Sequence, residues 1–180
     1  MTRETRELPW ESAVVVRVPA LDEQITNLRG RFGLPRKPNG IAPHVTLIVP
    51  FLTRQTLAEE DALAALGELC AAVAPFDVTF ARTARFPHVL YLAPEPAEPF
   101  IALTHALMAR WPQLKPYAGS EKQVTPHLTV TTSRPPKVFH QVDEALRPLL
   151  PIRAQVEAAQ LYLFDGRRWT EHEQLPFGTG

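Results

Sequence analysis

The stretches IAPHVTLIVPF (41–51) and VTPHLTVTTS (124–133) decide how the chain is read. Both carry Pro-His, then an apolar residue, then Thr, in a run rich in β-branched side chains that favours a strand. In a strand, residues i and i+2 share a face. His44 and Thr46 therefore project together, as do His127 and Thr129. Val45, Leu47, Leu128 and Val130 point the other way and need a core. One polar pair of imidazole and hydroxyl is thus presented twice.

Outward from the two strands the same order of elements recurs. SAVVVRVP (12–19) reads as a buried strand and residues 19–32 as a helix, with Leu21, Ile25 and Leu28 at helical spacing. Residues 33–43 are a Gly/Pro loop, and the first motif strand spans 44–51. Thr56-Leu57-Ala58-Glu59 has the form of a capping box opening a helix to about Val73. A strand at 76–86 ends the first half. VLYLAP (89–94), a helix from about Pro99 to Trp111, a loop at 112–126, the second motif strand at 127–132, a helix at 137–150 and a long strand at 152–164 repeat the plan. Asp165-Gly166 then turns into a final hairpin strand. Equivalent points lie 75 residues apart at Pro19/Pro94, 83 at His44/His127 and 78 at Phe86/Phe164. Duplication with loops of unequal length accounts for all three. The expectation is a bilobal α+β domain of two β-α-β-α-β repeats, about 12–87 and 88–173. Antiparallel-rich sheets would face a central cleft, with helices outside.

Composition bounds the function. A chain of 180 residues with 45% hydrophobic content can bury a full core. The formal charge of +0 supplies no general attraction to duplex DNA, although a pocket for one nucleotide end remains compatible with it. A single cysteine, Cys70, allows no internal disulfide and fits a reducing cytoplasm. No apolar run reaches the length of a signal peptide or a membrane span, so a soluble cytoplasmic protein is expected.

Two His-x-Thr motifs, one per repeat, resemble those of the 2H phosphoesterase superfamily. The bacterial branch of 2′-5′ RNA ligase-like proteins and RNA 2′,3′-cyclic phosphodiesterases is the most similar. The resemblance runs from about Ala13 to Trp169. It implies metal-independent chemistry on 2′,3′-cyclic phosphates or 2′-5′ phosphodiesters, without a cofactor. It also implies that His44 and His127 are the acid–base pair and that Thr46 and Thr129 bind phosphate. Imidazole, with an ordinary pKa of about 6.5, can serve either role near neutrality. The near-symmetry of the motifs allows either histidine to be the acid; in the resembling family the second-motif histidine is often drawn beside the attacking water, which favours His44 as the acid. Some RNA-directed members carry a basic residue soon after the second motif, where this chain has Thr131, Thr132 and Ser133.

The remaining candidates are weaker. Tyr117 and Lys122 in the longer loop, and Phe51, are candidate substrate contacts, since an aromatic face can stack a base. Trp169 could stack a base as well, but for both Phe51 and Trp169 core packing is the favoured reading. His88, His105, His140 and His172 read as structural or exposed, Cys70 as core, and Thr56 as a helix cap. Zinc is not expected, because His44 and His127 lack a third ligand at supporting spacing. The expected partner is a small cyclic-phosphate nucleotide or an RNA terminus, bound by a monomer without membrane or duplex DNA. The alternatives are 2′-5′ RNA ligation on the same residues and a nucleotide-end-binding module without turnover.

Overall fold

The structure, a computed structural model, describes residues 11–59, 61–115, 124–132 and 135–178. Among the described residues, strands β1 (Ser12–Arg17), β2 (His44–Ile48), β3 (Phe76–Phe86), β4 (Val89–Glu95), β5 (Leu128–Thr132), β6 (Ile152–Val156), β7 (Ala158–Phe164) and β8 (Trp169–Pro176) are interspersed with five α-helices. These are α1 (Asp22–Arg31), α2 (Arg54–Glu59), α3 (Ala62–Ala71), α4 (Glu98–Arg110) and α5 (Pro136–Leu146). The strands form one antiparallel sheet in the order β6-β3-β4-β5-β2-β1-β7-β8.

Where two sheets were expected there is one, and the motif strands are its central joint. Val45 of β2 pairs with Leu128 of β5. The long strand expected over 152–164 is broken at Glu157. β6 pairs with β3 at one edge, while β7 pairs with β1 and β8 near the other edge. A single residue thus links strands at opposite ends of the sheet, which requires the sheet to curl until those ends approach. Phe76 beside β6 and Phe177 after β8 stack at 6.0 Å across the junction.

Alternation divides the sheet faces as the motifs foretold. Val14, Val16, Val45, Leu47, Leu128 and Val130 join one core with the helices, including fully buried Ile25, Leu66, Phe100 and Leu146. Each such apolar side chain contributes about 1.5–3 kcal/mol by leaving water. The other face carries the motif side chains and a smaller apolar group of Ala13, Val15, Ile41, Val49 and Tyr162. β8 closes one edge with exposed, charged residues such as Glu171 and Glu173, which discourages edge-to-edge association.

The helix expected from Thr56 to Val73 is instead two helices, and Thr56 is not its cap. Thr53 takes that role, its hydroxyl accepting the Thr56 amide at 3.1 Å. The periodic apolar pattern of 62–71 was legible, but a Thr one turn earlier competed for the start. Likewise the helix expected over 137–150 ends at Leu146 and tightens into a 3-10 turn at Arg147–Leu149. The β7–β8 hairpin forms as expected. The Asp165 carboxylate accepts the Arg167 and Arg168 amides at 2.8 Å each, and Gly166 adopts φ 93°.

Candidate active site

One antiparallel pairing builds the site. Val45 and Leu128 are opposite each other and wholly buried. A step along one strand is a step back along its antiparallel neighbour, so His44 lies across from Thr129 and Thr46 across from His127. All four project from the face opposite the helical core. The arrangement has a local two-fold relation, with a histidine and a threonine contributed by each strand.

The backbone orients both imidazoles in the same way. His44 Nδ1 is 2.8 Å from the Ala42 carbonyl oxygen, and His127 Nδ1 is 2.8 Å from that of Thr125. A carbonyl only accepts, so each Nδ1–H donates and Nε2 is the ring atom that can exchange a proton. The proline before each histidine has no amide hydrogen and holds the chain extended. Its fixed geometry lets the ring turn back onto the carbonyl two residues earlier.

The surroundings then differ. His127 meets the edges of Phe86 at 5.2 Å and Tyr91 at 5.4 Å. His44 lines a cavity of about 360 Å³ together with the polar side chains of Thr46, Thr129 and Arg29 and the apolar ones of Val15, Leu34, Ile41, Val49 and Trp169. Burial pushes the His44 imidazole down to about 4, and the charges of Arg29, Arg17 and His127 act in the same direction; its bond to Ala42 opposes them. Arg17, its cross-strand neighbour, is salt-bridged to Asp22.

Rigid neighbours support the motif strands. Thr104 of α4 donates to the Leu47 carbonyl at 3.1 Å from the core side. Arg29 of α1 reaches β5, donating through Nε to the Val130 carbonyl at 3.0 Å and through Nη2 to that of Thr129 at 2.7 Å. Its Nη1 donates to the Arg36 carbonyl at 3.0 Å and ties down the loop beyond α1. Gly40, at φ 94°, lies so close to β8 that a Cβ there would sit 2.8 Å from the Trp169 carbonyl oxygen. The residues on either side of Gly40, Asn39 and Ile41, line the cavity together with Trp169.

The other candidates separate. Phe51 is a core residue and not a cavity contact: it is buried and meets the Trp111 ring edge-on at 5.0 Å. Tyr117 and Lys122 lie outside the described residues. Trp169 lines the cavity while packing on Phe164 at 5.0 Å, so core packing is only part of its environment. His88, His105, His140 and His172 are exposed, and Cys70 is buried with its thiol pushed up to about 11. Among the described residues no group of three His, Cys, Asp or Glu is placed to hold a metal, and no helix is long and apolar enough to cross a membrane. Arg29 was missed. Its signal was present, since it stands four residues after Ile25 on the buried stripe of a helix, where a charge is unusual.

Paired His-x-Thr strands stand at the centre of this antiparallel α+β sheet, and the chain is a member of the 2H phosphoesterase superfamily. The chain belongs to the 2′-5′ RNA ligase superfamily, whose family model matches residues 18–168. Among solved structures it is similar to Escherichia coli LigT complexed with NADP+, at 20% identity over 95% of this chain and 99% of that one, with a TM-score of 0.62. It is also similar to TT0787 of Thermus thermophilus, at 22% identity over 92% and 97% of the two chains and a TM-score of 0.63. At these identities the likeness concerns the fold. No curated protein matches the sequence.

His44 gives a prediction independent of turnover. By NMR its imidazole should titrate near 4 in the free protein, and saturating phosphate should raise that value because an anion favours the charged ring. By linkage, phosphate should bind more tightly as His44 becomes protonated. The folded value lies below the ordinary 6.5, so the unfolded chain binds the proton more readily. The stabilisation from a neutral His44 is therefore complete above about 6.5 and lost as pH falls towards 4. An unperturbed His44 titration would contradict the burial described above.

Proposed function

We propose that the protein is a metal-independent phosphodiesterase that opens 2′,3′-cyclic phosphates of nucleotides or RNA ends by two-histidine acid–base catalysis. The observation that carries this reading is the mutual placement of His44, Thr129, Thr46 and His127 about one strand pair, with both Nδ1 atoms engaged by carbonyls. Opening the ring requires water to attack phosphorus in line with the departing ribose oxygen. One imidazole takes the proton of the water through Nε2, and the other gives a proton to the leaving oxygen. The Thr46 and Thr129 hydroxyls donate to non-bridging oxygens as charge grows there. Because His44 is held neutral in the free protein, its service as the acid depends on the substrate anion raising its pKa.

The cavity supports a compact ligand, since its lining combines Thr46, Thr129, His44 and Arg29 with apolar side chains and Trp169, which suit a base or similar ring. E. coli LigT has been crystallised with 3′-AMP, ATP and NADP+, which is in keeping with a nucleotide here. The matching Pro-His environments also favour descent of the two motif strands from one duplicated unit. The family description favours a second reading, 2′-5′ ligation or its reversal on the same residues.

A substrate panel separates them. In the presence of EDTA, 2′,3′-cyclic mononucleotides and cyclic-phosphate-ended RNA should be opened to monoesters. Turnover confined to 2′-5′ linked dinucleotides would favour the second reading. Loss of activity on chelation, restored by one divalent ion, would replace the two-histidine step with metal-activated water.

A further inference from the structure

Arg29 brings a positive charge into the cleft without a counter-charge. It is 4% exposed, and among the described residues it makes no ion pair. Arg17, the other guanidinium acting on His44, is matched by Asp22. The cavity wall shared by Arg29, His44, Thr46 and Thr129 contains no carboxylate among the described residues. Three carbonyls accept from the Arg29 guanidinium, which has five N–H donors, and this leaves donors for a further acceptor. Burying an unmatched guanidinium is costly, and burial lowers the Arg29 pKa to about 10. Bonds to neutral carbonyls require donors but not a positive charge. An anion in the cavity would both accept the spare donors and neutralise the charge.

We propose that Arg29 is an anion-binding residue of the cleft, its buried guanidinium supplying the fixed positive charge that holds a phosphate group against Thr46 and Thr129. The charge reaches the second motif from α1 and not from β5 itself. By gripping the Thr129 and Val130 carbonyls, Arg29 also couples the position of that charge to the strand that carries the Thr129 hydroxyl. This rests on the phosphate-handling reading of the site, but its test requires no turnover.

Inorganic phosphate is the probe, titrated by NMR into the wild-type protein, Arg29→Lys and Arg29→Gln. The neutral variant should bind phosphate about ten-fold more weakly or worse, and the charged one should stay within a few-fold of wild type, as a charge-assisted hydrogen bond is lost only in the former. In the wild type the Arg29 side-chain resonance should shift saturably, with the same midpoint as His44. Wild-type affinity in a folded Arg29→Gln protein overturns the proposal, as does an Arg29 resonance that stays still at saturation or a wild type that binds no phosphate. If Arg29→Gln does not fold, the wild-type resonance decides alone. Phosphate binding through Arg29 without hydrolysis of any cyclic phosphate would uphold the anion site and remove the phosphodiesterase reading.

Discussion

Replacing either motif histidine by alanine should lower turnover of a 2′,3′-cyclic nucleotide by about 10²–10⁴-fold, the usual worth of a positioned general acid or base. The double variant should be little worse than the poorer single one, because groups that act as a unit do not lose additively. Each single variant should still bind product nucleotide, since the threonines and Arg29 stay in place. The fold should tolerate the change as well: His44 and His127 lie on the cleft face, while the adjoining Val45 and Leu128 hold the strand pair together. Steady-state rates with a folding control by circular dichroism check this. Wild-type rates in both variants would contradict two-histidine catalysis.

Thr46→Ala and Thr129→Ala should each reduce kcat by about 10²–10³-fold if each hydroxyl donates one hydrogen bond to an oxygen whose charge grows in the transition state. Ground-state binding should weaken much less, because the bond strengthens only as the charge develops. Serine at either position keeps the hydroxyl and should restore most of the rate. The Thr129 backbone is held through its carbonyl by Arg29 and does not depend on its side chain, so a loss in Thr129→Ala belongs to the hydroxyl. Equal effects on KM with unchanged kcat would make the threonines simple binding contacts.

Much of the site was legible because period-two alternation fixes which side chains share a face, and both motifs obey it. That rule sets His44 beside Thr46 and His127 beside Thr129; their candidate roles came from the repeated motif and the family resemblance. Their meeting across one strand pair did not follow from it, since pairing of β2 with β5 is a long-range choice. The break at Glu157 was hidden for the same reason: AQVEAAQLYLF is strand-like throughout, and only the separate partners of β6 and β7 divide it. Arg29 was hidden by its type, because a helical arginine ordinarily faces water. Trp169 could be read as core or as a cavity wall, and it stands between the two.

Roles within the pair can be assigned with an activated leaving group. A nitrophenyl phosphodiester needs little help from an acid, so the variant it partly rescues lacks the acid. His44→Ala is the variant expected to recover, since the family resemblance favours His44 as the acid; recovery of His127→Ala instead would reverse the assignment.

The most direct measurement is the pH dependence of kcat/KM for a 2′,3′-cyclic nucleotide, under conditions where chemistry limits the rate. One imidazole must be neutral and its partner protonated, so the logarithm should describe a bell whose limbs belong to the coupled pair. Because kcat/KM reports the free enzyme, one limb should fall near 4, where His44 titrates. A flat profile across the range in which imidazoles gain and lose protons would contradict two-histidine catalysis.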